Sequence, residues 1–209
     1  MSTRVTLVEN VDIQEELTNY VYAFDATSSV ELSLSGPNLA YKMRTIANMP
    51  GLVKTLFCTH LETCDIDTLK MFFRTFSDVL TSVYIAESDL TTEFLYTILS
   101  ECRKLKSFGV KLDGPFPNSF VFTRELLNNI TYFEFTGITA EKILEGGNCF
   151  DNITHFCTNS ATDDIIQILP QAMPNLQSLD VRGSHQLTVA SIFFIQDIYI
   201  QYENSGWEV

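Results

Sequence analysis

One short phrase recurs along the chain and limits the possible folds more than any other feature. Its first, fourth and sixth residues are apolar, and the clearest copy has Leu176, Leu179 and Val181 at these positions. The turn at residues 173–175 precedes this copy, and Leu187-Thr188 opens a helical run after it. A lone strand of this length buries little apolar surface, so copies must stack on either side of it. The phrase therefore predicts a repeat architecture.

Six further copies lie upstream at even spacing. Their first positions, with that of the clearest copy, are residues 29, 53, 80, 105, 130, 153 and 176, which are 23 to 27 residues apart. The upstream copies are Ser29-Leu32-Leu34 (the weakest), Val53-Leu56-Cys58, Leu80-Val83-Ile85, Leu105-Phe108-Val110, Ile130-Phe133-Phe135 and Ile153-Phe156-Thr158. Seven phrases at this spacing predict seven stacked strands.

A helix is predicted after each strand, because the apolar period changes from two to about 3.6 residues between the phrases. Thr91 and Asp67 are the predicted N-caps of the second and first well-defined helices, and Thr139, Thr162 and Thr188 occupy the same place in later repeats. One residue shortly before each strand is expected to pack inward as the helix ends. These residues are Met49, Phe76, Cys102, Cys149 and Met173.

The two ends are predicted to be modified repeats. Val5 and Leu7 fit a strand, and an apolar stripe behind Asp12 fits a helix. No linker or charge run divides the chain, which predicts a single domain over residues 1–209. Its expected parts are an N-terminal capping unit (1–28), seven repeat strands with their helices (29–187), and a C-terminal helix and tail (188–209).

Charge and composition restrict the possible partners. The chain has 13 Lys and Arg against 26 Asp and Glu, a net charge of −13, which disfavours nucleic acid and anionic membranes as partners. The first 17 residues contain no continuous apolar stretch, so we do not expect a secretory signal, and no apolar run is long enough to predict a membrane span. The five cysteines include no C-x-x-C pair, so neither a disulfide framework nor a zinc site is indicated. We expect a cytoplasmic or nuclear protein without a cofactor or metal.

The phrases NLQSLDV, KLKSFGV, NITYFEF and NITHFCT, with the helix starts LTTEFL, ITAEKIL and LTVASI, resemble the leucine-rich repeat family. The resemblance is to its helix-containing class, which includes ribonuclease inhibitor and the cysteine-containing repeats of F-box adaptors. Cys102 and Cys149 are similar to the cysteine-containing subclass, although Phe often replaces Leu and the usual Asn or Cys after the strand is mostly missing. The resemblance implies an α/β fold, a right-handed solenoid (arc) with a curved parallel sheet on the concave side and helices on the convex side.

The concave face is the predicted binding surface, because strand alternation turns phrase positions three, five and seven onto it. Phe57 and Tyr84 are neighbours at position five, and exposed aromatic residues beside small ones are typical of interface hot spots. The alternative is a solvated face whose aromatic side chains pack against flanking loops. The predicted protein-binding residues are Phe57, Tyr84, Lys111, Tyr132, Glu134, His155, Asp180 and Arg182.

Catalysis is the weaker hypothesis. His155 and Cys157 lie two residues apart on one predicted strand and point the same way, which puts a base near a nucleophile. However, Glu134 and Asp180 are their expected neighbours, and carboxylates raise the pKa of a thiol. The same four residues have the ligand types of a metal site, but strand spacing alone does not make a tetrahedron. No catalytic residue and no metal ligand is therefore predicted.

The sequence favours a non-catalytic module that recognises a protein partner, as the recognition subunit or scaffold of a larger complex. The resemblance adds a ubiquitin-ligase adaptor as one such role. Two alternatives are an inhibitor that covers a basic enzyme or partner, which the negative charge would steer, and an enzyme that uses His155 and Cys157. The C-terminal Trp207-Glu208-Val209 also fits a PDZ-domain ligand, a pattern that is common by chance.

Overall fold

The computed structural model describes residues 2–7, 29–34, 39–47, 53–88, 90–112, 116–192 and 199–201. The chain divides into two compact units, Met1–Lys106 (unit 1) and Ser107–Val209 (unit 2). Each unit contains the same alternation of strand and helix, and each is described by itself below. The single domain inferred from the sequence stays a prediction.

The described residues of unit 1 form four parallel strands that pair in chain order. The described helices of this unit follow the second, third and fourth strands, and a short 3-10 turn, Leu61–Thr63, precedes the second of them. The elements are β1 (Ser2–Leu7), β2 (Ser29–Leu34), α1 (Leu39–Ile46), β3 (Val53–Thr59), α2 (Ile66–Thr75), β4 (Ser82–Ser88) and α3 (Thr92–Glu101).

Unit 2 contains five parallel strands, which also pair in chain order. A 3-10 turn, Gly147–Phe150, follows its second helix. The elements are β5 (Ser107–Leu112), α4 (Arg124–Leu127), β6 (Tyr132–Phe135), α5 (Ala140–Gly146), β7 (His155–Cys157), α6 (Asp163–Ala172), β8 (Ser178–Asp180), α7 (Val189–Ile192) and β9 (Tyr199–Gln201).

The predicted fold class is confirmed: both units are α/β, with parallel strands from successive repeats and helices packed against one face of the sheet. The fourth position of the phrase is buried wherever the structure describes its side chain, as Leu56 and Val83 in unit 1 and Phe133 and Phe156 in unit 2 illustrate. Burial of these apolar side chains in every repeat is the main force that holds successive repeats together.

Unit 2 also has a cluster of aromatic residues in its core. Neighbouring rings have centroids between 4.6 and 6.0 Å apart, many of them edge to face. The cluster comprises Phe116, Phe120, Phe122, Phe133, Phe135 and Phe150. Phe fills a larger volume than Leu, which explains how these repeats form a closed core around a short α4.

The threonine N-caps predicted from the sequence are confirmed for three helices. The hydroxyls of Thr91, Thr139 and Thr162 each accept a hydrogen bond from the N–H three residues along the chain. The prediction for α2 is wrong, because its N-cap is Asp65 and not Asp67. The Asp65 carboxylate accepts from Thr68 N at 2.8 Å and from Thr68 Oγ1 at 2.7 Å, and these bonds lower its pKa.

Most of the residues expected to pack inward before a strand do so: Phe76, Cys102 and Met173 are buried. The prediction that Cys149 packs inward is wrong, because this residue is only half-buried. Its Sγ donates to the carbonyl oxygen of Phe122 at 3.4 Å. Phe150 points inward in its place. The reason is the 3-10 turn, whose tighter winding moves the inward position by one residue. Met49 lies outside the described residues.

The ends agree with the sequence only in part. β1 confirms the predicted strand at Val5 and Leu7, whereas the helix expected behind Asp12 lies outside the described residues. Near the C-terminus the prediction of a helix and tail is wrong in one respect, since α7 is followed by a further strand, β9. Ile200 pairs with Leu179 at the fourth position of the phrase. The sequence has an aspartate where the first apolar residue would stand, which hid this copy.

Candidate functional site

The outward face of each unit is the sheet surface formed by phrase positions three, five and seven. In unit 1 it carries Phe57 on β3 and Tyr84 on β4, which are paired in register. Their rings stack with centroids 5.0 Å apart and planes 14° from parallel, and both side chains are half-buried. Thr55 and Ser82 flank the pair on the same face. The structure therefore joins two predicted site residues into one flat aromatic surface with small neighbours.

Unit 2 brings together a second group of predicted residues on its outward face. Tyr132 on β6 and His155 on β7 are register partners, with ring centroids 6.4 Å apart and planes 28° from parallel. The Tyr132 hydroxyl donates to Glu134 Oε2 at 3.2 Å, and His155 Nδ1 shares a hydrogen bond of 2.9 Å with Thr154 Oγ1. These bonds hold the tyrosine and histidine rings in defined orientations.

Asp180 and Arg182 form an ion pair with several hydrogen bonds on the outward face of unit 2. The guanidinium donates to both carboxylate oxygens, from Nε at 3.0 and 2.9 Å and from Nη2 at 2.6 Å, and the Arg182 backbone N–H donates to Asp180 Oδ1 at 3.0 Å. Burial alone would raise the pKa of Asp180, but its hydrogen bonds and ion pair with Arg182 outweigh burial and lower the pKa. Arg182 is thus fixed with its guanidinium exposed.

Cys157 lies between Glu134 and Asp180 in the strand register. Burial, followed by the charges of these two carboxylates, raises the pKa of its thiol to about 12, against the opposing effect of Arg182. The thiol is therefore protonated near neutral pH and is a poor nucleophile and a poor metal ligand. Among the described residues, no three histidine, cysteine or acidic side chains are arranged to hold a metal ion.

Lys111 is the predicted site residue that joins neither group. It is exposed near the end of β5 and makes no hydrogen bond with any of the other seven. The predicted residues thus form an aromatic pair in unit 1 (Phe57, Tyr84) and a polar group in unit 2 (Tyr132, Glu134, His155, Asp180, Arg182), with Cys157 inside the polar group.

A ladder of hydroxyl side chains at the strand exits of unit 2 was missed by the sequence analysis. Thr136 Oγ1 accepts from Leu112 N at 3.0 Å, Ser160 Oγ from Gly137 N at 2.8 Å, and Ser184 Oγ from Ala161 N at 2.9 Å. Ser184 also donates to the Thr158 carbonyl oxygen. Each hydroxyl satisfies a backbone N–H of the preceding repeat and so fixes the end of the outward face.

The ladder explains how these repeats manage without the Asn or Cys expected after the strand. Its members, Thr136, Ser160 and Ser184, are spaced by 24 residues, and this recurrence of small hydroxyl residues was the signal available in the sequence.

The length and apolar character of the helices decide whether any of them could span a membrane. Within the parts of the chain that the structure describes, no helix is both long and apolar enough to cross a bilayer.

Comparisons with known proteins give a likeness of fold alone. No family model matches the chain, and no protein of curated function matches it. A chain of the crystal structure of the yeast Rad7 and Elc1 complex matches with a TM-score of 0.56 and 20% identity. The match covers 84% of this chain and 48% of that one, so this chain spans about half the length of its neighbour.

A second solved structure is the leucine-rich repeat-containing protein LegL7 from Legionella pneumophila. It matches with a TM-score of 0.47 and 13% identity over 95% of this chain and 97% of that one. The likeness to the chain from the yeast complex is one of fold, and it agrees with the strand and helix repeats described above, which are of the leucine-rich repeat type.

Proposed function

We propose that the chain is a protein-binding module that recognises its partner through the outward face, as a recognition subunit or scaffold. The observation that carries the proposal is the stacked pair of Phe57 and Tyr84, half-buried on a sheet surface with small neighbours. A preformed flat aromatic pair offers a large contact area with little loss of side-chain entropy on binding, as hot spots do. The structural neighbour from yeast is itself found in a complex with another protein, which supports this class of function.

The polar group of unit 2 adds specificity in the proposed function. Arg182 is held in place by Asp180, so its exposed guanidinium meets a partner without a large ordering cost. Tyr132 and His155 present a second pair of rings with fixed orientation. Such preorganised polar contacts discriminate among partners by leaving the wrong partner with unpaired groups.

Binding is favoured over catalysis by the electrostatics around Cys157. An active-site cysteine needs a lowered thiol pKa, and this thiol has a pKa raised to about 12 by burial and by Glu134 and Asp180. We therefore propose no enzymatic role for His155 and Cys157.

The first test uses a Phe57→Ala/Tyr84→Ala variant in a pull-down from eukaryotic lysate. A matched control is Tyr41→Ala/Met71→Ala, which truncates two large exposed side chains on the helix side of the same unit. Circular dichroism and the urea midpoint establish that all three proteins are folded. We expect the outward-face variant to lose partners that the wild type and the control retain. Retention of all partners by this variant, or equal loss in the control, contradicts the proposal.

An inhibitor of a basic partner is the second candidate function, and the net charge of −13 favours it. Steering by charge makes the association rate fall steeply as salt increases, because the Debye length shrinks from about 30 Å at 0.01 M to about 10 Å at 0.1 M. For a captured partner, a steep salt dependence of the association rate supports the inhibitor. A weak dependence supports the recognition subunit, for which an adaptor in ubiquitin ligation and a cytoplasmic or nuclear location remain proposals.

A further inference from the structure

Unit 2 has an open groove on its helix side, between α5 and α6. Leu144 from α5 and Ile168 from α6 provide its apolar surface. Leu144 is 51% exposed and Ile168 is partly exposed, although neighbours Ile143 and Ile166 are fully buried. The buried residues occupy the core-facing stripe of each helix, so Leu144 and Ile168 lie outside it. Leu144 and Ile168 therefore present a small exposed apolar surface within the groove.

The rim of this groove is acidic. Glu141, Glu145 and Asp164 line it, and no lysine or arginine does. Glu145 is paired, because Lys142 Nζ donates to its carboxylate at 2.6 Å and to the Asn118 carbonyl oxygen at 2.7 Å. The carboxylates of Glu141 and Asp164 make no hydrogen bond or ion pair with another described residue. The groove therefore presents two uncompensated carboxylates beside its apolar surface.

We propose that the α5–α6 groove docks a basic amphipathic helix of a partner protein. A helix that places one apolar stripe on Leu144 and Ile168 brings its flanking positions to the acidic rim, where Lys or Arg pairs with Glu141 and Asp164. The C-terminal residues of this chain, 202–209, are unsuited by charge, because they include Glu203 and Glu208 and no basic residue. The groove is separate from the outward face, so this proposal does not depend on the proposed function.

The test uses a designed helical peptide of about four turns, with Leu at i and i+4 and Lys on both flanks. Its affinity for the full chain is measured by fluorescence anisotropy, beside a peptide with Glu in place of each Lys. We expect saturable binding of the basic peptide, which Leu144→Asn weakens by about fivefold or more. Met71→Asn, on the helix side of unit 1, is the matched control and should bind as the wild type does. No saturable binding, or binding that Leu144→Asn leaves unchanged, overturns the proposal.

Charge needs its own control, because a basic peptide is attracted to any protein of net charge −13. Glu141→Gln/Asp164→Asn removes the two rim charges, and Asp78→Asn/Glu125→Gln removes two exposed charges elsewhere. The rim variant should weaken binding several-fold more than the control in low salt. Equal weakening by the two variants would show attraction to the overall charge and overturn the proposal.

One more variant distinguishes the outward face from the groove as the binding site of the peptide. Phe57→Ala/Tyr84→Ala should bind the basic peptide as tightly as the wild type does, whatever the pull-down shows. Loss of peptide binding in this variant places the peptide on the outward face and overturns the groove as its site.

Discussion

The helix sides of the two units differ in what lies between neighbouring helices. In unit 1, α2 and α3 are bridged by two ion pairs, Lys70 Nζ to Glu93 at 3.3 Å and Arg74 Nε to Glu101 at 3.0 Å. In unit 2, the described residues form no such bridge between α5 and α6, and Lys142 pairs within its own helix. Both units therefore have a groove between these helices, and the two grooves differ in that charge pairs cross the one in unit 1.

Unit 2 has a buried polar link between repeats, at Ser184, in addition to the more exposed rungs of the hydroxyl ladder. The hydroxyl ladder crosses from one repeat to the next at the strand exits, and Ser184 is almost fully buried. Buried hydrogen bonds are protected from water and salt, whereas exposed ion pairs are screened by both. We infer that the ion pairs between α2 and α3 of unit 1 are sensitive to salt, whereas the buried Ser184 link of unit 2 is not.

The largest expected effect is that of Ser184→Ala. It removes the acceptor of the Ala161 N–H and a donor to the Thr158 carbonyl oxygen, and leaves a buried N–H unsatisfied. We expect the free energy of unfolding to fall by about 1–3 kcal/mol, measured by urea denaturation in low and high salt. The loss should be the same in both. Ser100→Ala, an exposed serine of α3, is the control and should have little effect. Equal losses of stability in Ser184→Ala and Ser100→Ala would show that the hydroxyl ladder does not stabilise unit 2 in particular.

A smaller effect is expected at the residue that follows the strand exit, and it can be tested once in each unit. Gly183 in unit 2 has φ of 82° and His60 in unit 1 has φ of 57°, both in the left-handed region. Gly183→Ala should destabilise the protein by about 1–2 kcal/mol, since the added Cβ makes only an ordinary contact, 3.4 Å from Asn159 Cβ, and the strain of the left-handed backbone is the main cost.

His60→Gly tests the same strain in the opposite direction. Relief of the left-handed backbone should stabilise the protein by up to about 1 kcal/mol, reduced by the greater freedom of glycine in the unfolded chain. Thermal denaturation of the two variants measures both changes. If His60→Gly destabilises the protein, the His60 side chain makes contacts worth more than the strain.

The two ion pairs between α2 and α3 of unit 1 should contribute less to the free energy of unfolding than Ser184 or Gly183 does. Lys70→Met/Arg74→Met removes both cations, and all four charged groups are at least partly exposed. We expect a loss of about 0–1 kcal/mol in low salt that disappears in high salt. A loss that persists in high salt would show that the side chains contribute by packing rather than by charge.

The smallest effect on stability is expected from Gln167→Lys, which introduces a cation into the groove of unit 2 and so imitates unit 1. Stability should change by under about 0.5 kcal/mol. Binding of the basic peptide should weaken several-fold, because the new lysine repels the peptide and pairs with the rim. Gln171→Lys, one turn further along α6, adds the same charge away from the residues that line the groove. Similar weakening by both would show that position within α6 does not matter.

The sequence predicted much of the fold because every repeat must bury the same strand positions and cap a helix at the same place. The seven phrases correspond to β2 through β8, and the threonines at 91, 139 and 162 are the N-caps of their helices. The errors arose where local geometry departs from the repeat. Cys149 was displaced by a 3-10 turn, and β9 was hidden by a polar first position. Asp65 was missed because two aspartates stand at the start of α2.

The candidate site was predictable as a surface but not as a set of contacts. Alternation along the strands determined that Phe57 and Tyr84 lie on the outward face of unit 1, and that Tyr132, His155 and Asp180 lie on that of unit 2, since period-two geometry is local. Only the tertiary structure decided that Phe57 stacks on Tyr84, that Arg182 is locked onto Asp180, and that the Cys157 thiol is kept protonated. The ring stacking and the raised thiol pKa depend on register and charge between strands whose phrases begin 23 to 27 residues apart, and a short phrase carries no information about its neighbours. The Asp180–Arg182 pair joins residues only two apart, but it depends on side-chain conformations that the phrase does not specify.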